Sequence, residues 1–510
     1  MTSSIQAGGM ILGALPAAGG EALLEEYLAG GIRAFLLPGA LLAEPERLAA
    51  LAGFAKRRCS EAGLGRALVA LGGGKVAAAA PPELPGLPSA MSLASRGDRG
   101  AARRAGRAFG AALAALGVDL LFAPRLDLAN DPKLAGGVLE LFGEDSLKAG
   151  ALAAAFGRGL AEGGVAPCGL SFPGCGALAS DGRHGPPLVP FPLDRLAEIE
   201  ALPFAKAIRL GLSAVLVGRV LAPAIEPERI PAARSVRAIE GRLRTDLGFG
   251  GLVIGAALDD DLAGPGRAAV LGALAGCDLQ VALGPEAAMA AASALAAALA
   301  AGELPAPRLV VARRRLDRLF AKLPAKRPDP AALGRLLSGP EPRRVAERGI
   351  TAFRAGKGFP LSAAPGLVLL FEPPPAGSEA ALLPAVEAAL RRELPDARIL
   401  RLPAEPGPAA AESLLAAVAE AGRVPALALS YDAHRRPGQE SLIHLLEESL
   451  GEVGVVALRD PYDAAFFPRA AALGAAYGFS AETARAAARL ATGRLEGRGR
   501  CPVAVLGIEV

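Results

Sequence analysis

Short apolar runs alternate along this chain with longer stretches whose apolar residues recur at helical spacing. The runs Met10–Ala14, Ala34–Leu37, Ala67–Leu71, Asp119–Ala123, Gly164–Leu170, Ala214–Val217, Leu252–Gly255 and Leu279–Leu283 read as strands. Glu21–Ala29, Pro45–Ala62, Gly100–Leu116 and Ser146–Glu162 read as helices between them. Strand and helix alternate in this way until about residue 325. That rhythm predicts a parallel (β/α)8 TIM barrel. An open doubly wound sheet is the structural alternative, though it usually has fewer strands. Pro324–Pro342 is rich in Pro, Lys and Arg and reads as a connection holding one short helix. Beyond it, Leu367–Phe371, Arg398–Leu402, Ala426–Ser430, Val455–Leu458 and Pro502–Leu506 read as strands, with Ala380–Glu393 and Glu412–Ala421 as helices. The expected organisation is a barrel over 1–325, a linker over 326–345, and a C-terminal α/β sandwich domain with a largely parallel sheet over 346–510.

Composition narrows the class. Of 510 residues, 52% are hydrophobic but only 4% are aromatic and none is Trp, so the core is built from small aliphatic side chains. Few aromatic faces are available as stacking platforms for sugars. The net charge is +4 and no long basic run stands out, so no nucleic-acid partner is expected. The five cysteines are odd in number and widely spaced, which suits a reducing, cytoplasmic setting. Met1–Leu15 lacks the pattern of a signal peptide. The most apolar stretch, Ala287–Ala301, is flanked by Pro285-Glu286 and Gly302-Glu303, as a soluble helix would be, so no membrane partner is expected.

In a (β/α)8 barrel the chemistry sits at the C-terminal strand ends. The fifth strand is followed by Ser171-Phe172-Pro173-Gly174-Cys175-Gly176 and then Ser180-Asp181-Gly182-Arg183-His184-Gly185. This resembles the signature loop of glycoside hydrolase family 3, β-N-acetylglucosaminidase branch, which reads Lys-His-Phe-Pro-Gly-His-Gly and, after four residues, Asp-Ser-His. Leu121-Phe122-Ala123-Pro124-Arg125-Leu126-Asp127, Phe142-Gly143-Glu144-Asp145, Leu247-Gly248-Phe249-Gly250 and Ala275-Gly276-Cys277-Asp278 are similar to other segments of that family. In the second domain, Arg459-Asp460-Pro461-Tyr462-Asp463 and Arg500-Cys501-Pro502-Val503 are similar in the same way. The resemblance runs in order through nearly the whole chain.

What the resemblance implies about chemistry is mostly missing. The family's Asp nucleophile follows strand seven, where this chain has Ala256, which cannot form a glycosyl-enzyme bond. The Asp-Ser-His acid/base dyad reads Asp181-Gly182-Arg183, and a guanidinium with a pKa above about 12 is no acid/base near neutral pH. His184 is one residue further on, and a slip of the loop would bring it back. The Lys-His pair is Leu170-Ser171, the second His is Cys175, Asp-Gln-Glu-Gly-Gly reads Ala70-Leu71-Gly72-Gly73-Gly74, the Arg before Ser-Phe-Gly is Glu140, and the His after strand six is Arg219. The backbone-shaping Phe172-Pro173-Gly174 and Ala275-Gly276 remain. A scaffold kept with its chemistry removed is the pattern of a pseudoenzyme.

Catalytic residues are therefore not assigned, and no cofactor or metal is expected. Ligand-binding candidates are Arg125, Asp127, Asp181, Arg183, His184 and Arg219. The arginines either make the vacated pocket electropositive, suited to a carbohydrate or anionic small molecule, or pair with Asp127, Glu140 and Asp181 to fill it. Asp259-Asp260-Asp261 reads as an acidic helix start, or as a replacement nucleophile in a still active hydrolase. Cys168, Cys175 and His184 match no zinc spacing, and Gly72-Gly73-Gly74-Lys75 lacks the phosphate-loop frame. His434 and His444 read as ordinary surface or core residues.

Overall fold

The computed structural model describes residues 7–72, 88–132, 138–176, 185–259, 261–324, 329–353, 356–375 and 378–508. Eight parallel strands close into a barrel in sequence order. They are β1 (Ile11–Ala14), β2 (Ala34–Pro38), β3 (Leu68–Gly72), β4 (Leu120–Leu121), β5 (Ala166–Phe172), β6 (Ala214–Val217), β7 (Leu252–Gly255) and β8 (Leu279–Ala282). Pairing of β1 with β8 completes the ring. All eight expected strands are present, β4 being shorter than its apolar run because Ala123-Pro124 leads the chain out of the ladder. The alternative of an open sheet is thereby excluded.

The helices between them are α1 (Gly20–Ala29), α2 (Pro45–Glu61), α3 (Arg99–Ala115), α4 (Ser146–Glu162), α5 (Leu202–Arg209), α6 (Pro265–Ala275) and α7 (Pro285–Ala300), with Arg237–Asp246 helical between β6 and β7. A further helix, α8 (Ala306–Lys322), contributes Leu316, Leu319 and Phe320 to the cluster formed by Leu12, Leu36, Leu68, Leu120, Leu216 and the other residues that line the barrel interior. The lumen is thus a packed core with no room for a channel.

Two buried aspartates pin the strand starts. Asp119, before β4, donates its N–H to Val69 O at 2.7 Å, and its carboxylate accepts from Val69 N at 3.0 Å. Asp278, before β8, makes the same pair of bonds with Val253, at 2.8 and 2.9 Å. Each follows a left-handed glycine two residues earlier, Gly117 (φ 88°) and Gly276 (φ 116°), which turns the chain from helix into strand. Lys56 lies 3.0 Å from the Asp119 carboxylate, while Arg244, Arg308 and Arg315 each approach Asp278 at 2.9 Å.

The second compact unit comprises Leu337–Val510 together with Pro85–Asp98 and Gly137–Asp145. Its sheet runs β11-β10-β12-β13-β14-β9, from β9 (Thr351–Ala352), β10 (Leu367–Phe371), β11 (Arg398–Leu402), β12 (Ala426–Ser430), β13 (Val453–Ala457) and β14 (Ala472–Ala475). The pairings are parallel except that between β9 and β14. Its helices include the short Ala90–Arg96 and the longer α9 (Pro340–Gly349), α10 (Leu383–Glu393), α11 (Pro408–Ala421), α12 (Pro437–Leu450) and α13 (Ala481–Ala491). One expected strand is absent: Pro502–Leu506 is irregular. Pro502 has no N–H for a ladder, and its carbonyl instead accepts from Glu144 N at 3.2 Å. Beyond β13 the sheet continues with β14, whose Ala-Leu-Gly-Ala sequence gives little strand signal, and ends at β9.

Candidate functional site at the barrel mouth

Parallel strands bring the segments after β4, β5, β6, β7 and β8 to one face. Ala256 directly follows β7, held by a bond from its N–H to Val217 O at 3.0 Å, and it is buried. The acidic residues after it are engaged elsewhere. Asp259 accepts from Leu283 N and Gly284 N, both at 2.7 Å, and so secures the end of β8. Asp261 is ion-paired with Arg234. Asp260 lies outside the described residues.

Asp127 organises the β4–β5 side. Arg125 Nε and Nη2 both lie 3.1 Å from its Oδ2. Its Oδ1 accepts from Cys175 N at 2.7 Å, and Ser171 N is 3.4 Å from both oxygens. The two family-like segments, Phe122–Asp127 and Phe172–Gly176, are therefore held together by one carboxylate. The retained glycines have steric reasons: a Cβ on Gly176 would lie 1.8 Å from Leu128 O, and Gly174 has φ 122° beside the Glu200 side chain.

Glu200 went unnoticed in the sequence. It sits in the helical segment ahead of α5, fully buried, where Asn130 Nδ2 donates to its Oε1 at 3.0 Å and Arg195 Nε at 3.3 Å. Burial raises its carboxyl above the usual range, and Arg195 offsets part of that. The only sequence signal was a second carboxylate two residues after Glu198, which an amphipathic helix cannot expose on the same face.

Three buried polar atoms around this loop have no hydrogen-bond partner among the described residues: Arg125 Nη1, Ser171 Oγ and Glu200 Oε2. Arg219, after β6, is buried, and its charge is felt by Arg234. Of the six sequence candidates, Arg125 and Asp127 form one pair and Arg219 stands at the end of the adjoining β6. Asp181, Arg183 and His184 lie outside the described residues, as do Gly73, Gly74 and Lys75. Cys168 and Cys175 are buried thiols raised well above their usual range by burial. No group of three or more His, Cys, Asp or Glu suited to a metal occurs among the described residues. None of the described helices is long and apolar enough to cross a membrane.

Comparison with known proteins agrees with this layout. The profile of the glycosyl hydrolase family 3 N terminal domain matches residues 73–319. A β-hexosaminidase from Bordetella pertussis is 36% identical over 193 residues, covering 36% of this chain and 53% of that protein. One from Chromobacterium violaceum is 34% identical over 226 residues, covering 43% and 60%. The chain thus spans about half the length of the curated relatives it matches. A solved glycoside hydrolase family 3 β-N-acetylglucosaminidase from Paenibacillus sp. str. FPU-7 covers 99% of both chains with a TM-score of 0.87 at 25% identity. The barrel of this chain is thus similar to the glycosyl hydrolase family 3 N terminal domain over residues 73–319. Its sequence is β-hexosaminidase-like.

Proposed function

We propose that the barrel mouth binds a polar, carbohydrate-like ligand without cleaving it, so that the chain acts as a pseudoenzyme in sensing or in binding a partner. The observation that carries this reading is Ala256. A retaining glycosidase needs a carboxylate nucleophile about 5–5.5 Å from its acid/base. The nearby carboxylates of Asp259 and Asp261 are committed to backbone amides and to Arg234. The unpartnered atoms of Arg125, Ser171 and Glu200 support binding, since a buried polar group lacking a partner costs about 1–3 kcal/mol unless something supplies the bond. The curated relatives' name, β-hexosaminidase, makes N-acetylhexosamines the first ligands to test.

Purified protein should release no nitrophenol from 4-nitrophenyl N-acetyl-β-glucosaminide above the blank, while N-acetylglucosamine or its phosphorylated or acidic analogues raise its Tm. Turnover that disappears in Asp259→Ala or Glu200→Gln would overturn the reading. Glu200 is the one observation favouring the competing reading, an active hydrolase with rearranged residues, because a buried carboxyl with a raised pKa is how glycosidases hold a proton donor. On that reading Glu200→Gln abolishes turnover.

A further inference from the structure

The second unit carries a buried histidine that the proposed function does not use. His434 lies in the helical turn Ala433–Arg435 just beyond β12. Its Nδ1 is 2.7 Å from Asp463 Oδ1, and its backbone N–H donates to the same oxygen at 3.0 Å. Arg435 Nε lies 2.9 Å from His434 Nε2. A guanidinium can only donate, so Nε2 must present its lone pair, and the ring proton must reside on Nδ1 facing Asp463. The geometry therefore requires a neutral His434. A second acceptor waits on the same edge of the ring, Asp460 Oδ2, at 3.7 Å from Nε2.

We propose that His434, Arg435 and Asp460 form a proton-operated latch in the second unit. With Nε2 unprotonated, Arg435 is tied to the imidazole. When Nε2 takes a proton from solvent, the Arg435 Nε–H loses that one acceptor and the guanidinium is repelled, and the imidazolium pairs with Asp460 while Asp463 keeps its hold on Nδ1. The surroundings make this change accessible near neutral pH. Burial pushes the Asp460 carboxyl up to about 7, an effect that His434 lessens and that Asp432 and Asp463 increase. Burial acts to lower His434, but the bond to Asp463 and the charges of Asp460 and Asp463 outweigh it and raise the group, with Arg435 opposing.

The other described groups around the ring have partners of their own. From β12, Ser430 Oγ donates to Asp463 Oδ2 at 2.6 Å. From the turn after β13, Tyr462 packs edge-on against the ring at 6.3 Å, and its N–H donates to Asp460 Oδ1 at 3.1 Å. Asp432, raised by burial, lies 3.4 Å from Arg459, which also pairs with Glu379. The Cys501 thiol, pushed up to about 11 chiefly by burial, also senses the Asp460 charge. Asp432 holds a left-handed φ of 55°, so the backbone entering the turn is already strained.

The test is imidazole and guanidine NMR on the full chain labelled with 15N-histidine and 15N-arginine. The chain has three histidines, so His184→Gln and His444→Gln spectra assign His434 by elimination. At pH 8 His434 should show the Nδ1–H tautomer, with the Arg435 Nε–H slow to exchange. As the pH falls, protonation of Nε2 and loss of that slow exchange should share one midpoint. Arg435→Met should raise the midpoint by about half a pH unit or more, because a competing positive donor is removed, and Asp460→Asn should lower it. An Nε2–H tautomer at pH 8, or an Arg435 signal indifferent to His434 titration, overturns the latch. Both readouts come from the unsubstituted protein, so the outcome does not depend on a variant folding.

Discussion

Asp278 is one carboxylate serving three guanidinium groups and a backbone amide with no exposure to solvent. Removing a charge from such a cluster leaves the opposite charges buried and uncompensated. Asp278→Asn should therefore destabilise the barrel by about 3–5 kcal/mol in urea titrations, whereas substituting exposed Glu303 should change little. Glu200 behaves in the opposite sense. Its folded carboxyl is raised, so its contribution is fully present below the unfolded pKa and is lost as the pH rises through the folded value. Glu200→Gln should gain stability relative to the parent as the pH rises above 4.5, measured by denaturation at several pH values, and an unchanged difference would refute the raised carboxyl. Neither residue's environment was legible in the sequence. Asp278 could be read as part of an Ala-Gly-x-Asp segment, but its three arginines come from two other helical segments up to 37 residues away. Glu200 and His434 looked like ordinary polar residues because burial by segments distant in sequence leaves no local pattern. Ala256 was legible, since its position follows from a strand end and a segment likeness alone.

At the scale of elements, α3 and α4 pack at backbone distance. A Cβ on Gly106 would lie 2.2 Å from Phe156 O, and one on Gly159 would lie 2.1 Å from Arg103 O. Gly110 and Gly163 repeat the contact four residues on in each chain segment. Alanine favours a helix over glycine by about 1 kcal/mol, yet here it must push two backbones apart. Gly106→Ala should therefore be destabilising by about 1–3 kcal/mol, and a rise in the denaturation midpoint would refute this packing. Strand positions were readable because both-face burial writes them as continuous Val, Leu, Ile and Ala runs. The failures have the same cause in reverse. Pro502–Leu506 is apolar enough to look like a strand but cannot donate at its start, and β14 is a strand made of small residues that win by fitting against Thr351 and Leu490.

Considered whole, the molecule has four fully buried cysteines in the barrel unit, Cys59, Cys168, Cys175 and Cys277, and a half-buried Cys501 in the other. Burial raises the thiols of all five. Native alkylation at pH 8 should leave the four barrel thiols unmodified until denaturant opens that unit, with mass spectrometry counting the labels. Early labelling of Cys168 would contradict a packed lumen.

The second unit's inclusion of Pro85–Asp98 and Gly137–Asp145 has a consequence for biosynthesis. Met91, Leu93, Val138, Leu141 and Phe142 are buried within it, yet the ribosome delivers them long before the strands β10 to β14. At roughly 5–20 residues per second, these apolar side chains wait on the order of 20–70 s for the rest of their core. A nascent chain of this kind is a natural client for a holding chaperone. A chain terminated after Leu336 should keep those residues bare permanently and partition into the insoluble fraction, while the full-length chain expressed alongside it does not.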